Sequence, residues 1–588
     1  MLEALYKYAQ DNNLAVRPGF RPKRIKYYIC FSANGEFIGI STVEDDAEPP
    51  MCPDIGSLAN GTTKSNIIAE KAEVILNMSD KKGECKRGLK QKFYLDSMIE
   101  AGAYDKRFLT AVNGLNEHME EIQKAYCEIK KAKPTDFISI KVDGFPLEES
   151  KDYLEWWEDF RRRFDSKTNS DSVRCFITGN LTEPMKTVPP VQGLGSVGGH
   201  TKGDSFICFD KDAYRSYGFE QAANAAVSEE AVTAVNSALS ELLKEASQPV
   251  ASSKYIHWFS EKTEYDVFKM FDFGFTENDI DNCSDDQISE DENKVKEMFS
   301  FMKKRSLPHM PKNRYYMMVL SGVNGRVMIR SYDEGTYEEL CSNIRAWYED
   351  LSIDIQGVGR KYYKLYHTYS RLLKFSTEKN SNKTRERIDK ELSGLAPKIM
   401  YAIMHNTPLP DTVAAKALAY IRSDMYNGDD ERKISPMPDI VVCQILKAWL
   451  NRKYRKEKKE EFIIMEKLNK ESPSAAYQTG RLMAVYAAIQ TVALGDVGAG
   501  VVERYYTSAC SSPALVMGKL ATMSQYHLSK LKGDNHRAYI FYSKMLEEIS
   551  CKVGTSLPKT FTLEQQSEFA LGYYFQKSEN YKTKKTEE

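Results

Sequence analysis

Two stretches of the chain are dense in β-branched and aromatic residues and break at an Asn-Gly pair. "IKYYICFSANGEFIGISTV" (Ile25–Val43) turns at Asn34-Gly35, and "RYYMMVLSGVNGRVMIRSY" (Arg314–Tyr332) turns at Asn324-Gly325. Asn-Gly accepts the positive φ angles of a type I′ turn, so each stretch predicts a β-hairpin. Shorter strand candidates are Phe137–Val142, Val173–Thr178, Ser205–Phe209 and Tyr255–Phe259. The spacing between them predicts helices over Ser65–Asn77, Arg107–Lys131, Lys151–Phe164 and Ser228–Glu245. Helices and hairpins intermix without a regular strand-helix-strand rhythm, which favours α+β over a doubly wound sheet.

After about Tyr332 the strand signals nearly vanish and helices follow one another to the end. Ser472-Pro473 and Ser512-Pro513 each place a cap residue before a proline at the first helical position. Thr562–Gln565 ("TLEQ") reads as a capping box. Leu482, Val485, Tyr486, Ile489 and Ala493 form one apolar stripe; Val516, Leu520, Met523 and Leu531 form another. These are the faces of a packed bundle. The expected organisation is a mixed α+β region with β-hairpins over 1–335, a helical region over 336–464, and an all-α C-terminal bundle over 465–588. The charged run "NRKYRKEKKEE" (Asn451–Glu461) separates the last block and reads as a solvated helix face.

Composition narrows the function class without naming it. The chain has 588 residues, and its 82 Lys plus Arg stand against 83 Asp plus Glu, a net charge of −1. A protein that coats naked nucleic acid alone is usually basic, so any such role here must use local patches. The 11 cysteines form no C-x-x-C pair and no cysteine-histidine cluster at zinc spacing, which points to reduced thiols in a cytosol and to no metal site. "MLEALYKYAQDNN" starts as an amphipathic helix and not as a secretory signal, and no run of apolar residues is long enough to span a membrane. Asp272–Glu292 holds acids and no Lys or Arg; without calcium-loop spacing it reads as a solvated loop or insertion.

One stretch invites an enzymatic reading. "VQGLGSVGGHTKGDS" (Val191–Ser205) fits G-x-G-x-x-G at Gly193, Gly195 and Gly198. A dinucleotide fingerprint needs a strand before it and a helix after it. Here two prolines precede the glycines and a strand-like "SFICFD" follows, so a nucleotide-using enzyme is the weaker reading. A connecting loop is the plain one. A third is a loop that brings backbone amides, Ser196, Thr201 and Lys202 close to a nucleic-acid backbone, with Gly195, Gly198 and Gly199 allowing the approach.

The flanking text resembles a known family. "CFITGNLTEP", then "SFICFDKDAYRSYGFEQAANAAVSEEAVTAVNSALSELL", is similar to the large subunit of the subtype I-C CRISPR surveillance complex (Cascade). The carrying residues are Ser216-Tyr217-Gly218, Gln221, Asn224 and Val227-Ser228-Glu229. "NGEFIGI" and "KSNIIAEKAEVIL" look like the family's opening, and "LPKTFTLEQQSEFALGYYFQK" like its closing helices. No pattern is recognisable over about Glu261 to Asn313.

The resemblance implies a subunit that does no chemistry and needs no cofactor. It would act in the cytoplasm, recognise a short protospacer-adjacent motif in duplex DNA, promote unwinding and R-loop formation, and support recruitment of a helicase-nuclease. Implied partners are CRISPR RNA, target DNA, and the backbone and RNA-processing subunits. A small subunit made from the same gene's C-terminal region is implied too. Met465 is its candidate start, because Lys459-Glu460 can be encoded as a ribosome-binding sequence four codons upstream. Candidate motif-reading residues are Lys64 and Asn66 in "NGTTKSN", with the Gly195–Lys202 loop. Candidate backbone contacts are Arg17, Arg21, Lys23, Arg24 and Lys26, and Arg504 beside the displaced strand. A free-standing helical scaffold or regulator is the remaining alternative.

Overall fold

Strands β1 (Ile25–Phe31) and β2 (Phe37–Thr42) form the first expected hairpin, antiparallel, with Ile29 opposite Ile40. Its turn is not type I′. Gly35 takes φ +92°, but Asn34 stays outside the left-handed region. The cause is local: the Ser32 hydroxyl accepts the N–H groups of Asn34 (3.3 Å) and Glu36 (3.1 Å) and holds a longer loop.

The structure is a computed structural model. It describes the chain apart from residues 15–18, 45–46, 48, 79–87, 165–172, 186, 216, 220, 247–248, 264–265, 271–312, 356–358, 361–362, 364, 377–380, 427–436, 496–499 and 586–588. Arg17 and the acidic stretch Asp272–Glu292 therefore lie outside the described residues. Two units are distinguished: Met1–Pro189 with Ile207–Leu239, and Pro190–Phe206 with Ser240–Glu588. The architecture is α+β.

In the first unit, β3 (Glu70–Lys71) and β4 (Phe137–Val142) extend the hairpin to a sheet of order β2-β1-β4-β3, with β1 and β4 parallel and a short fifth strand, Phe145–Pro146, paired with β4. Helices α1 (Gly88–Ala101), α2 (Lys106–Glu117) and α3 (Met119–Glu128) lie between β3 and β4 in the chain. Ile29, Phe31, Ile138 and Ile140 share a core with Tyr94, Met98, Phe108 and Leu115. Trp156 and Trp157 on α4 (Leu154–Arg162) are buried in it beside Phe160.

The helix expected over Ser65–Asn77 is a correction. Only Ala72–Ile75 is helical. Upstream, the Glu70 carboxylate accepts the Asn66 N–H (2.8 Å), Ile68 sits at φ +66°, and Glu70–Lys71 pairs with β4. Side-chain-to-backbone bonding of this kind competes directly with a helix. The strand expected over Val173–Thr178 shrinks to Val173–Arg174. Helix α5 (Glu229–Glu245) matches its expected span within a residue.

In the second unit, β5 (Lys254–Phe259), β6 (Arg314–Val323) and β7 (Arg326–Thr336) form an antiparallel sheet in that order. The β6–β7 turn has both Asn324 (φ +52°) and Gly325 (φ +75°) left-handed, as a type I′ turn requires. Ser205–Phe209 forms no strand; Ser205 alone bridges Arg326. Thr336 then caps α6 (Tyr337–Leu351) through a capping box with Glu339.

The helices that follow share one apolar core with this sheet, reaching from Val250 to Phe575. They include α7 (Ile440–Glu457), α8 (Ala475–Leu494), α9 (Val501–Ser511), α10 (Pro513–Asp534) and α11 (Leu563–Lys585). The Thr562–Gln565 box forms as expected, with Thr562 and Gln565 bonding each other's backbone N–H. The α8 cap is Ser474 and not Ser472, because the Ser474 hydroxyl accepts the Tyr477 N–H (3.1 Å) and leaves Pro473 outside the helix.

The charged run Asn451–Glu461 needs a second correction. Its first half is the end of α7, and Arg452 is only 2 % exposed. Arg452 Nε donates to Asp350 at 2.8 Å, and Arg455 reaches the same carboxylate at 2.6 Å. Part of a run that reads as solvated is thus an interior ion-pair network. The sequence cannot show this, because Asp350 lies about a hundred residues away.

Candidate nucleic-acid interface

The glycine loop is built by backbone contact. Val191 and Asp204 close its base through paired hydrogen bonds of 2.9 and 2.8 Å. A 3-10 turn spans Gly195–Val197, and Gly198 follows at φ +84°. Asp204 is fully buried and its carboxylate accepts the His200 N–H at 3.1 Å. The loop then docks on β6: a Cβ on Gly322 would stand 2.1 Å from Gly199 Cα, so neither chain has room for a side chain there. Ser205 and the hairpin tip complete the joint, with Ser205 N–H to Gly325 O at 2.8 Å and Val327 N–H to Ser205 O at 3.0 Å.

Inward, the loop places Leu194, Val197, its close-packed glycines and one buried carboxylate; outward, it leaves polar groups. Ser196, Gly198, Thr201 and Lys202 are exposed, as is Gly195, while Gly199 is half-buried against β6. The His200 ring accepts the Lys202 N–H at 3.1 Å, which fixes the backbone that carries the lysine. No helix follows the loop through Lys211, so the helix N-terminus that a dinucleotide site requires is missing. The arrangement is a polar loop seated on β6, with the exposed Lys202 cation two residues before its closing Asp204, suited to meeting a phosphate backbone.

The other candidates divide. Asn66 is 4 % exposed: its amide oxygen accepts the Ile55 N–H (3.1 Å) and its amide nitrogen donates to Glu70 (3.0 Å). Both ends are taken up inside the fold, so in this arrangement Asn66 offers a base nothing. Lys64 is half-buried, with Nζ 4.2 Å above the Phe164 ring. In the basic stretch, Lys23 pairs with Asp54 and Lys26 with Asp136 at 2.8 Å. Burial opposes the charged form of Asp54, yet the Lys23 and Arg21 cations and the Gly56 N–H outweigh it and hold the carboxyl below its usual range. Arg21 and Arg24 are exposed. Arg504 is exposed on α9, and its neighbour Tyr505 lies under Lys519 Nζ at 5.1 Å.

Residues 2–581 match the family model described as CRISPR-associated protein (Cas_Csd1). The chain belongs to this family. No curated protein matches it. Among the described residues of this Cas_Csd1 chain, no group of three or more His, Cys, Asp or Glu is placed to hold a metal ion. Among them, too, no helix is long and apolar enough to cross a membrane.

Sequence reasoning missed that the second hairpin and the glycine loop form one surface. Arg326, exposed on β7, bridges Ser205 at the end of the loop, and Arg330, also exposed on β7, donates from Nε to Ser321 at 2.8 Å. A signal was present: Gly322 interrupts a strand two residues before the turn, and a glycine inside a strand marks close approach of another backbone.

Proposed function

We propose that this chain is the non-catalytic large subunit of a subtype I-C CRISPR RNA-guided surveillance complex. It recognises the protospacer-adjacent motif in duplex DNA, promotes unwinding and R-loop formation, and supports recruitment of the helicase-nuclease. The observation that carries the reading is the Gly195–Lys202 loop, locked on β6 with Ser196, Thr201 and Lys202 turned to solvent, in a chain matched to a CRISPR-associated family over residues 2–581. A rigid loop holding one cation at a set place is what register on a DNA backbone requires. Guide pairing then reads the target sequence.

In this reading the region 1–335 carries motif recognition and docking, and Lys64 is retained as the candidate for specificity. Arg21, Arg24 and Arg504 add backbone contacts. The complex works in the cytoplasm with CRISPR RNA and its backbone and RNA-processing subunits. Residues 465–588 are also made separately, as a small subunit begun at Met465.

Reconstituted complex titrated on targets with and without the motif, at two salt concentrations, tests this. Lys202→Ala weakens binding to all targets alike and lowers the salt slope by roughly one. Lys64→Ala narrows the gap between targets with and without the motif. Unchanged binding in both variants would overturn the site assignment.

A further inference from the structure

The segment between Phe209 and Ala225 presents three aromatic rings to water. Tyr214, Tyr217 and Phe219 are 42, 87 and 46 % exposed. Rings are ordinarily withdrawn from solvent, because each carries a large apolar area. Here the backbone holds them out. Short 3-10 turns flank them at Asp212–Arg215 and Gln221–Ala225. Tyr214 N–H donates to Lys211 O (3.0 Å), Gly218 N–H to Arg215 O (3.0 Å), and the Asn224 amide to Gln221 O (3.0 Å). Ala222 is buried beneath, Gly218 at φ +76° separates Tyr217 from Phe219, and Gln221 is held at φ +50°. The Phe209 ring meets Tyr214 edge-on at 5.3 Å.

The chemistry of the loop narrows what it meets. Its charges nearly cancel: Asp210, Asp212 and Glu220 stand against Lys211 and Arg215, a net of −1, with Arg215 3.3 Å from Asp212. Apart from Ala213, its exposed apolar groups are aromatic and none is a larger aliphatic. A phosphate-tracking groove needs surplus cations, which this segment lacks, so it does not track the backbone by itself. Aromatic faces held out to solvent are the stacking half of a single-strand site, whose cationic half must then lie on other elements, and stacking tolerates any base.

We infer that Tyr217, supported by Tyr214 and Phe219, stacks on unpaired bases of an opened nucleic-acid strand. The inference rests on the proposed function, which supplies such bases when the target duplex is unwound.

The test uses the whole complex and targets carrying single 2-aminopurine substitutions across the unwound region. In wild type, one or a few positions are quenched by stacking. Tyr217→Ala with Phe219→Ala restores their fluorescence and weakens target binding roughly tenfold, the size of one lost stack. Tyr217→Phe keeps the ring and behaves as wild type. Permanganate-reactive thymines with an unchanged 2-aminopurine signal in the alanine variant would overturn the inference alone. Loss of sister subunits from that variant by native mass spectrometry, with the signal of assembled complex unchanged, would make the loop a protein-docking site. Absence of reactive thymines in the wild-type complex would overturn both this inference and the function beneath it.

Discussion

Two glycine pairs bring backbones into contact in the second unit, and they serve opposite ends. At the crossing of α8 and α11, a Cβ on Gly480 would stand 2.0 Å from Phe569 O, and one on Gly572 2.0 Å from Tyr477 O. The glycines there let two helices approach inside a shared apolar core. At the glycine loop, Gly199 and Gly322 press a surface loop onto a strand edge, and the side chains that flank the contact face water. The same residue type builds an interior in one place and a presenting surface in the other. What differs is where the neighbouring polar groups are spent.

In the bundle they are spent inward. The Asp350 carboxylate is buried between Arg452 and Arg455, and Arg452 also donates to the Ala402 and Thr407 carbonyls. Replacing Asp350 with alanine strands a buried guanidinium, so Asp350→Ala should cost about 3–5 kcal/mol, the largest effect expected here. Chemical denaturation followed by circular dichroism reads it, and a loss below about 1 kcal/mol would mean the network is wet. Gly572→Ala comes next. The obstacle is a carbonyl of the opposing helix and cannot rotate away, so the helices must part at roughly 2–3 kcal/mol. A stability equal to wild type would show that the crossing has slack.

A smaller effect depends on pH. Burial pushes the Lys447 amine down to about 8 while it donates to the Asp350 carbonyl at 2.9 Å. Unfolded, the amine titrates near 10.4. Between those values the unfolded chain binds more protons, so the native state gains stability as pH rises through the window. Lys447→Met should remove about 1–3 kcal/mol of that rise, seen by comparing denaturation midpoints at pH 8 and 9.5. Parallel pH profiles for the two proteins would contradict it.

How much of this the sequence carried depends on the range of the interaction. Both hairpins, α5, the Thr562–Gln565 box and the buried stripe of α8 rest on neighbours in the chain, and all are present. The Ser65–Asn77 helix fails because Asn66 and Glu70 bond the backbone instead, a choice that helix periodicity does not record. Arg452 fails as a surface residue because its partner is remote in sequence. That no helix opens directly after the glycine loop was legible in the chain, from the prolines before it and the text that follows. Its seat on β6 was not, since nothing in Val191–Ser205 specifies Gly322. Of the candidate residues, Lys202 and Thr201 are exposed on the loop, whereas the burial of Asn66 shows only in the fold.

Gly322→Ala separates the two uses of glycine with the smallest expected change in stability. The added methyl meets Gly199 Cα, as the Gly572 methyl meets a helix carbonyl, but here the obstructing chain is a surface loop that can lift. The global cost should stay near 1 kcal/mol, because a loop opens without the core. The local consequence is larger: with the Gly199 contact gone, the Asp204 and Ser205 bonds and the buried Leu194 and Val197 side chains still hold the base of the loop, but the Gly198–Lys202 stretch loses its seat on β6. Limited proteolysis should then cut between Gly198 and Lys202, where wild type resists, while the melting of the remainder is nearly unchanged. If Gly322→Ala instead lowered stability as much as Gly572→Ala and left the loop protected, the loop would be part of the core, and its polar edge an incidental surface.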